Sequence, residues 1–195
     1  EGREPKFFKI PESPKISIIT SMYKSGEYIE HFMSEVTKQT IFDKCELIIL
    51  DANSPDNEKV IIDKYLEKYD NIKYHRLSET LNVQETMNLG LKIMSHHLST
   101  DPNADLVYAD CFQTHTKNET LENNTSAGHW YEHSRFEFSK KAMIKCLPGP
   151  LPMWKRKMTD DNGKFDESLK FAGDWEMWLR CVSMGSKFKR INRTL

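Results

Sequence analysis

The chain has 195 residues, 28 Lys and Arg against 29 Asp and Glu, a net charge of -1 and four cysteines. That length buries a full core without disulfide or metal staples, and the near balance of charge, with no basic block, argues against nucleic acid or an anionic membrane as partner. Cys45, Cys111, Cys146 and Cys181 form no C-x-x-C pair, which leaves no zinc knuckle or redox motif and reads as free thiols in a reducing cytoplasm.

After a polar lead-in containing Pro5, Pro11 and Pro14, Lys15 to Thr20 is a β-branched run that predicts a strand, and Ser21 to Gly26 a loop. From Glu27 onward Ile29, Phe32, Met33 and Val36 recur at the spacing that buries one helical face. Leu47 to Leu50 is unbroken and apolar, as a strand covered on both sides of a parallel sheet would be. It stops at Asp51. A strand, helix, strand order implies a right-handed parallel crossover, which brings Ser21 and Tyr23 alongside Asp51. Ligands of open α/β sheets sit beyond the carboxyl ends of strands, so Asp51 is placed to meet one. Asn53, Ser54 and Pro55 equally make it an ordinary turn residue.

A second helix is predicted from Glu58 to Lys68, burying Val60, Ile61, Tyr65 and Leu66. A short strand follows over Ile72 to Leu77, then a third helix from near Val83 carrying Met87, Leu91 and Met94, with Asn82 as its N-cap. His96 to Thr100 resembles a helix tail with no strand and turn before it, so a stretch of chain is expected to be missing between Ser95 and His96. Ala104 to Ala109 predicts a strand closed by Asp110.

Phe112 to Ser134 reads as a long polar loop or lid. Its His129 and His133 are four apart but lack the third ligand a metal site needs. A helix is predicted over Ser139 to Cys146, then a rigid turn at Pro148, Gly149, Pro150 and Pro152, and a short extended piece at Met153 and Trp154. Lys155, Arg156 and Lys157 read as a solvated face. In the last helix Asp174, Trp175, Trp178, Leu179 and Val182 share helical spacing, with Gly185 past its end. Asp174 is open to two uses, N-cap or ligand contact, and the two tryptophans are open to core or ligand roles.

Taken in order, K-I-S-I-I-T-S-M-Y-K, E-L-I-I-L-D-A-N-S, T-M-N-L-G-L-K, A-D-L-V-Y-A-D and G-K-F-D-E-S-L-K-F-A-G-D-W-E-M-W-L-R resemble the segment series of family 2 glycosyltransferases of the GT-A fold. The resemblance covers nearly the whole chain after Pro14. It implies an α/β fold with a mainly parallel central sheet and helices on both faces, as one domain over residues 1–195. Because the chain opens on Glu1 rather than Met, that domain is expected to be a piece of a longer protein. By the same resemblance Ser21, Tyr23 and Asp51 match positions that hold the base and ribose of a nucleotide-diphosphate sugar. Asn82 and Asn88 fall in the next nucleotide loop and its helix, where Met87 replaces an Arg and removes a diphosphate contact.

Asp174 matches the family's catalytic base, although Gly173 stands where a Glu usually precedes it. Trp154 and Trp175 are the candidate acceptor contacts. The activity implied is inverting, metal-dependent transfer of a hexose-type sugar to a glycan or lipid-linked acceptor in polysaccharide biosynthesis. Mg2+ or Mn2+ is the implied cofactor, but the D-x-D motif that would bind it is absent; the family places it between Met94 and His96, so the metal ligands are unknown. No apolar run approaches the roughly 20 residues of a membrane span, so the expected location is cytoplasmic, at a membrane face only through other parts of a longer protein. The alternative of another class is a non-catalytic nucleotide-sugar-binding or scaffold domain that has lost the metal motif. An unrelated doubly wound nucleotide-binding protein would leave Gly173 to Arg180 unexplained, and no glycine-rich phosphate loop is present.

Overall fold

The computed structural model describes residues 16–93, 103–111, 114–120, 123, 125, 136–150 and 152–194. Met94, the expected break between Ser95 and His96, and the pair His129 and His133 lie outside the described residues. Two compact units result, one holding the described residues up to 93 with Glu167–Lys170, the other holding the remainder.

In the first unit the order is β1 (Ile16–Met22), α1 (Ile29–Thr37), β2 (Cys45–Asp51), α2 (Glu58–Leu66), β3 (Ile72–Arg76) and α3 (Val83–Ile93). The three strands form a parallel sheet in the order β1-β2-β3. Every residue of β2 is buried, which its unbroken apolar run requires of a central strand. Alternate side chains serve opposite faces. Leu47 and Ile49 pack with Ile29 and Met33 of α1, Ile62 of α2, and Phe42. Leu50 and Ile19 meet α3 at Gly90, so helices cover both faces of this sheet.

One strand end and one helix face differ from the sequence expectation. β1 runs to Met22, because Ser21 and Met22 pair with Leu50 and Asp51, so Ser21 is a strand residue. In α2 Ile61, Tyr65 and Leu66 pack against the core as expected, but Ile62 is the fully buried residue and Val60 is 53% exposed. The helix begins at a buried Glu58, and the i, i+4 relation then turns Ile62 inward and carries Val60 to the outer side. Asn82 does cap α3. Its Oδ1 accepts from Glu85 N at 2.9 Å while Glu85 Oε2 accepts from Asn82 N at 2.7 Å, a reciprocal capping box.

The second unit contains β4 (Leu106–Asp110), β5 (Met153–Trp154), α4 (Arg156–Asn162), α5 (Gly173–Ser183) and β6 (Phe188–Thr194). Its sheet runs β5-β4-β6, with β6 parallel and β5 antiparallel to β4. Its core is aromatic: the Trp178 ring lies 5.2 Å from Trp154, 6.1 Å from Phe165 and 6.3 Å from Phe188, all edge-to-face. α5 closes in a Schellman turn, with Ser186 N donating to Cys181 O at 3.0 Å and Gly185 N to Val182 O at 3.1 Å. Gly185 there has a φ of 99°, which is why a glycine follows the helix.

The helix expected over Ser139 to Cys146 is only a 3-10 turn, Ala142–Ile144. Ser139 Oγ still accepts from Ala142 N at 3.1 Å, but Pro148 disfavours the α conformation at the residue before it, and Met143 and Leu147 are already buried. α4 and β6 were not expected. α4 buries only Met158 and Thr159 and shows on its outside the i, i+4 pairs Arg156–Asp160 and Lys157–Asp161, so apolar periodicity had little to reveal.

A methyl group built at Gly90 would stand 2.3 Å from Ile19 Cγ2 and 3.1 Å from Leu50 Cδ1. Gly90→Ala should therefore destabilise by about 1–3 kcal/mol through overpacking, reversing the gain of about 1 kcal/mol that alanine brings to a helix interior. Urea unfolding of the two proteins checks the sign.

Candidate functional site

The carboxyl edge of the first sheet is organised by Asp51, the last residue of β2 and fully buried. Its Oδ1 accepts from Ser54 N at 2.7 Å; its Oδ2 accepts from Tyr74 OH at 2.5 Å and Arg76 Nη1 at 2.9 Å. Arg76 Nη2 reaches on to Ser54 O at 2.8 Å and Asn53 Oδ1 at 3.3 Å. Asp51 thus stands at the edge expected of it, but both its oxygens are engaged by protein. The cation beside it is the more open group, with 42% of the Arg76 side chain exposed.

Ser21 and Tyr23 close β1 at the same edge, both exposed. The loop after them is tied across to the loop after β2. Lys24 N donates to Ser54 Oγ at 2.9 Å, and Glu58 Oε1 accepts from Ser54 Oγ and from Ser25 N, each at 2.8 Å. Burial pushes the Glu58 carboxyl up, but the bonds from Ser25 and Ser54 outweigh it and hold the group below the ordinary 4.5. Asn82, at the start of α3, donates from Nδ2 to Glu167 O at 3.2 Å, and the buried Asn88 from its Nδ2 to Glu167 Oε1 at 2.9 Å.

In the second unit Asp174 is exposed and is not the N-cap. α5 begins one residue earlier, at Gly173, after Ala172 with a left-handed φ of 56°. The Asp174 carboxylate instead meets Cys146 Sγ at 3.7 Å. Burial, and then the charge of Asp174, pushes that thiol up to about 12, so it stays protonated and able to donate. Trp175 Nε1 donates to Met143 O at 2.9 Å, while the half-buried Trp154 lends its ring to the Trp178 cluster. Cys45, Cys111 and Cys181 are buried thiols outside any disulfide, and Cys146 is half-buried.

Among the described residues no group of three or more His, Cys, Asp or Glu side chains could hold a metal ion. Asp110, at the end of β4, is taken by Arg190, whose Nη2 lies 2.7 Å from each carboxylate oxygen. No described helix is long and apolar enough to cross a membrane. Tyr74, Arg76, Glu58 and Cys146 had escaped the sequence reading. Tyr74 and Arg76 alternate on β3, but only the register that sets them opposite Ile49 and Asp51 reveals their partner.

The sequence pattern described as Glycosyl transferase family 2 matches residues 17–173. The chain belongs to glycosyl transferase family 2. The match covers most of the chain and ends one residue before Asp174. Minor teichoic acid biosynthesis protein GgaB of Bacillus subtilis (strain 168) is 30% identical over 77 residues, which are 39% of this chain and 9% of that protein.

Solved structures show the family 2 fold to be α/β of the GT-A type. The mannosyltransferase PcManGT from Pyrobaculum calidifontis, in complex with GDP-Man and Mn2+, superposes with a TM-score of 0.64 at 15% identity, over 97% of this chain and 59% of that one. S. aureus TarS 1-349 in complex with UDP-GlcNAc gives 0.67 at 16% identity, over 93% and 58%. The chain thus spans a small part of its curated relative and under two thirds of these solved chains.

Tyr65, Tyr74 and Tyr108 are each pushed up to about 12, in every case chiefly by burial, with the hydrogen bond to Glu30 or Asp51 adding to it at Tyr65 and Tyr74. A raised folded-state value contributes stability that is fully present below the ordinary 10 and is lost as pH rises toward about 12. Ultraviolet titration of tyrosinate should show these three rings ionising late, and Tyr74→Phe should remove one late ring.

Proposed function

We propose that this chain is a catalytic domain of a longer protein, an inverting glycosyltransferase that moves a sugar from a nucleotide-diphosphate donor to a glycan or lipid-linked acceptor, with Asp174 as base. The observation that carries this is the condition of Asp174. It is an exposed carboxylate in the first turn of α5 that makes no ion pair among the described residues and meets only a thiol. Lone pairs held in that way remain available to an acceptor hydroxyl.

In the step proposed, the acceptor O–H gives its proton to an Asp174 oxygen as the acceptor oxygen bonds to the anomeric carbon. The bond from that carbon to the diphosphate oxygen breaks on the opposite side, and the configuration inverts. One carboxylate suffices, since the hydroxyl becomes a competent nucleophile only as its proton leaves. Ser21, Tyr23, Asn82 and Asn88 are assigned to the nucleotide. Asp51 joins them through Arg76, whose open guanidinium it orients. Trp154 and Trp175 are assigned to the acceptor, for whose sugar faces aromatic rings are suited.

The names of the related proteins support the class of donor and product: GDP-Man and UDP-GlcNAc accompany the solved structures, and GgaB is a teichoic acid biosynthesis protein. Dependence on Mg2+ or Mn2+ belongs to the proposal on the strength of the Mn2+ with the mannosyltransferase. The described residues do not fit such an ion, and no step above is routed through one. Its ligands are proposed to lie on a segment between Ser95 and His96, and the domain is proposed to work in the cytoplasm.

Asp174→Asn should lower sugar transfer by about a hundred- to ten-thousandfold, the range of a lost general base. Nucleotide binding should stay as it was, and thermal stability should fall only slightly, by the roughly 0.3–1 kcal/mol that a carboxylate in the first turn of a helix contributes. Transfer assays with UDP-GlcNAc and GDP-Man, run beside thermal-shift measurements, separate the outcomes: near-normal turnover in the variant excludes this base, and nucleotide binding without any transfer in the unaltered protein identifies a scaffold.

Peptide mapping of the protein from its natural source should find no peptide in which Ser95 is bonded to His96. Finding one would remove the proposed place for metal ligands.

A further inference from the structure

Glu58 is a buried charge for which the transfer chemistry has no direct use. It is the first residue of α2 and has no exposed surface. A carboxylate in that position would be costly unless its partners repay the lost hydration. Oε2 is buried with no hydrogen-bond partner among the described residues, so the compensation falls to Oε1, whose partners come from two separate loops. Glu58 Oε1 accepts from Ser25 N at 2.8 Å and Ser25 Oγ at 3.3 Å in the loop after β1, and from Ser54 Oγ at 2.8 Å in the loop after β2.

Ser54 extends the network in both directions. Its Oγ accepts from Lys24 N at 2.9 Å and Asp56 N at 3.3 Å, its N donates to Asp51 Oδ1 at 2.7 Å, and its O accepts from Arg76 Nη2 at 2.8 Å. Each loop also carries a residue other than glycine with positive φ: Lys24 at 52° and Asn53 at 59°. L residues keep such a backbone only where the surroundings over-determine it. Immediately beside these two positions stand the open side chains of this edge, Tyr23 at 47% exposure and Arg76 at 42%.

We propose that Glu58 is a positioning residue for donor binding, which touches no substrate and clamps the two loops so that Tyr23 and Arg76 face the nucleotide in a fixed arrangement. The proposal rests on the glycosyltransferase reading above. The bonds that hold the carboxyl below the ordinary glutamate value also keep the clamp charged throughout the neutral range. Charge matters here, because hydrogen bonds to an ionised acceptor are about twice as strong as neutral ones.

The test uses the whole chain and three probes, UDP, GDP and dTDP, each with Mg2+, in calorimetric titrations. The nucleotide that the unaltered protein binds is then titrated into Glu58→Gln and Ser54→Ala, at a temperature where circular dichroism shows all of them folded. We expect Kd to rise by about tenfold in Glu58→Gln, the loss of one charge-assisted contact, and by less in Ser54→Ala. Amide exchange should quicken at Lys24 and Ser25 while protection along β2 is unchanged.

An unaltered Kd in folded Glu58→Gln would overturn the positioning role and leave the nucleotide assignment standing. Weaker binding with protection lost along β2 as well would show a residue that merely supports the fold, and would also overturn it. If the unaltered protein binds none of the three, the donor-binding reading fails and this role fails with it. Should Glu58→Gln not fold, Ser54→Ala decides alone: its Kd must rise with β2 protection intact.

Discussion

A carboxylate buried at the end of a central parallel strand is the constraint on which the first unit depends. Asp51 terminates β2, where the apolar run gives way to charge, and it has no access to water. An unpaired carboxylate there would cost several kcal/mol, more than most single contacts return. Ser54 N, Tyr74 OH and Arg76 compensate it, and in doing so they fix the turn after β2 and the register of β3. Arg76 then covers the turn by bonding Ser54 O, so the compensating cation is also the group left at the surface. The burial of β2 and the presentation of an ordered edge are parts of one electrostatic arrangement.

The second unit solves a different problem. Its sheet is small and mixed, and β5 contributes only two residues. Edge-to-face aromatic packing around Trp178 supplies what strand length does not, joining β5, α5, β6 and Phe165. α5 is anchored by Trp178 within its length and closed by Gly185, so its first turn needs no side-chain cap. That leaves Asp174 exposed beside a protonated thiol.

Membership of glycosyl transferase family 2 and the GT-A fold agree with both units. The relatives also show what a family name leaves open. They carry different nucleotides, GDP in one structure and UDP in another. At the carboxyl edge of this chain's first sheet the exposed groups include Tyr23 and Arg76, carried by loops that the buried Glu58 ties together.

Most of the first unit was legible in the sequence because its signals are local. Apolar runs and helical spacing marked β1, β2, β3, α1 and α3, and Asn82 marked a helix start; in the second unit Gly185 marked the end of α5. The edge at which Asp51 stands followed from strand order alone. What the sequence could not decide was pairing. Glu58 looks like any solvated glutamate, and only the approach of Ser25 and Ser54 shows it to be a buried charge. Val60 and Ile62 are equally apolar, and only the buried start of α2 selects Ile62 for the core. β6 carries charges that read as surface until Arg190 meets Asp110 across the sheet. Apolar periodicity is written along the chain because burial acts on each residue separately, whereas a charge or hydroxyl takes its meaning from a partner that only tertiary structure brings within reach.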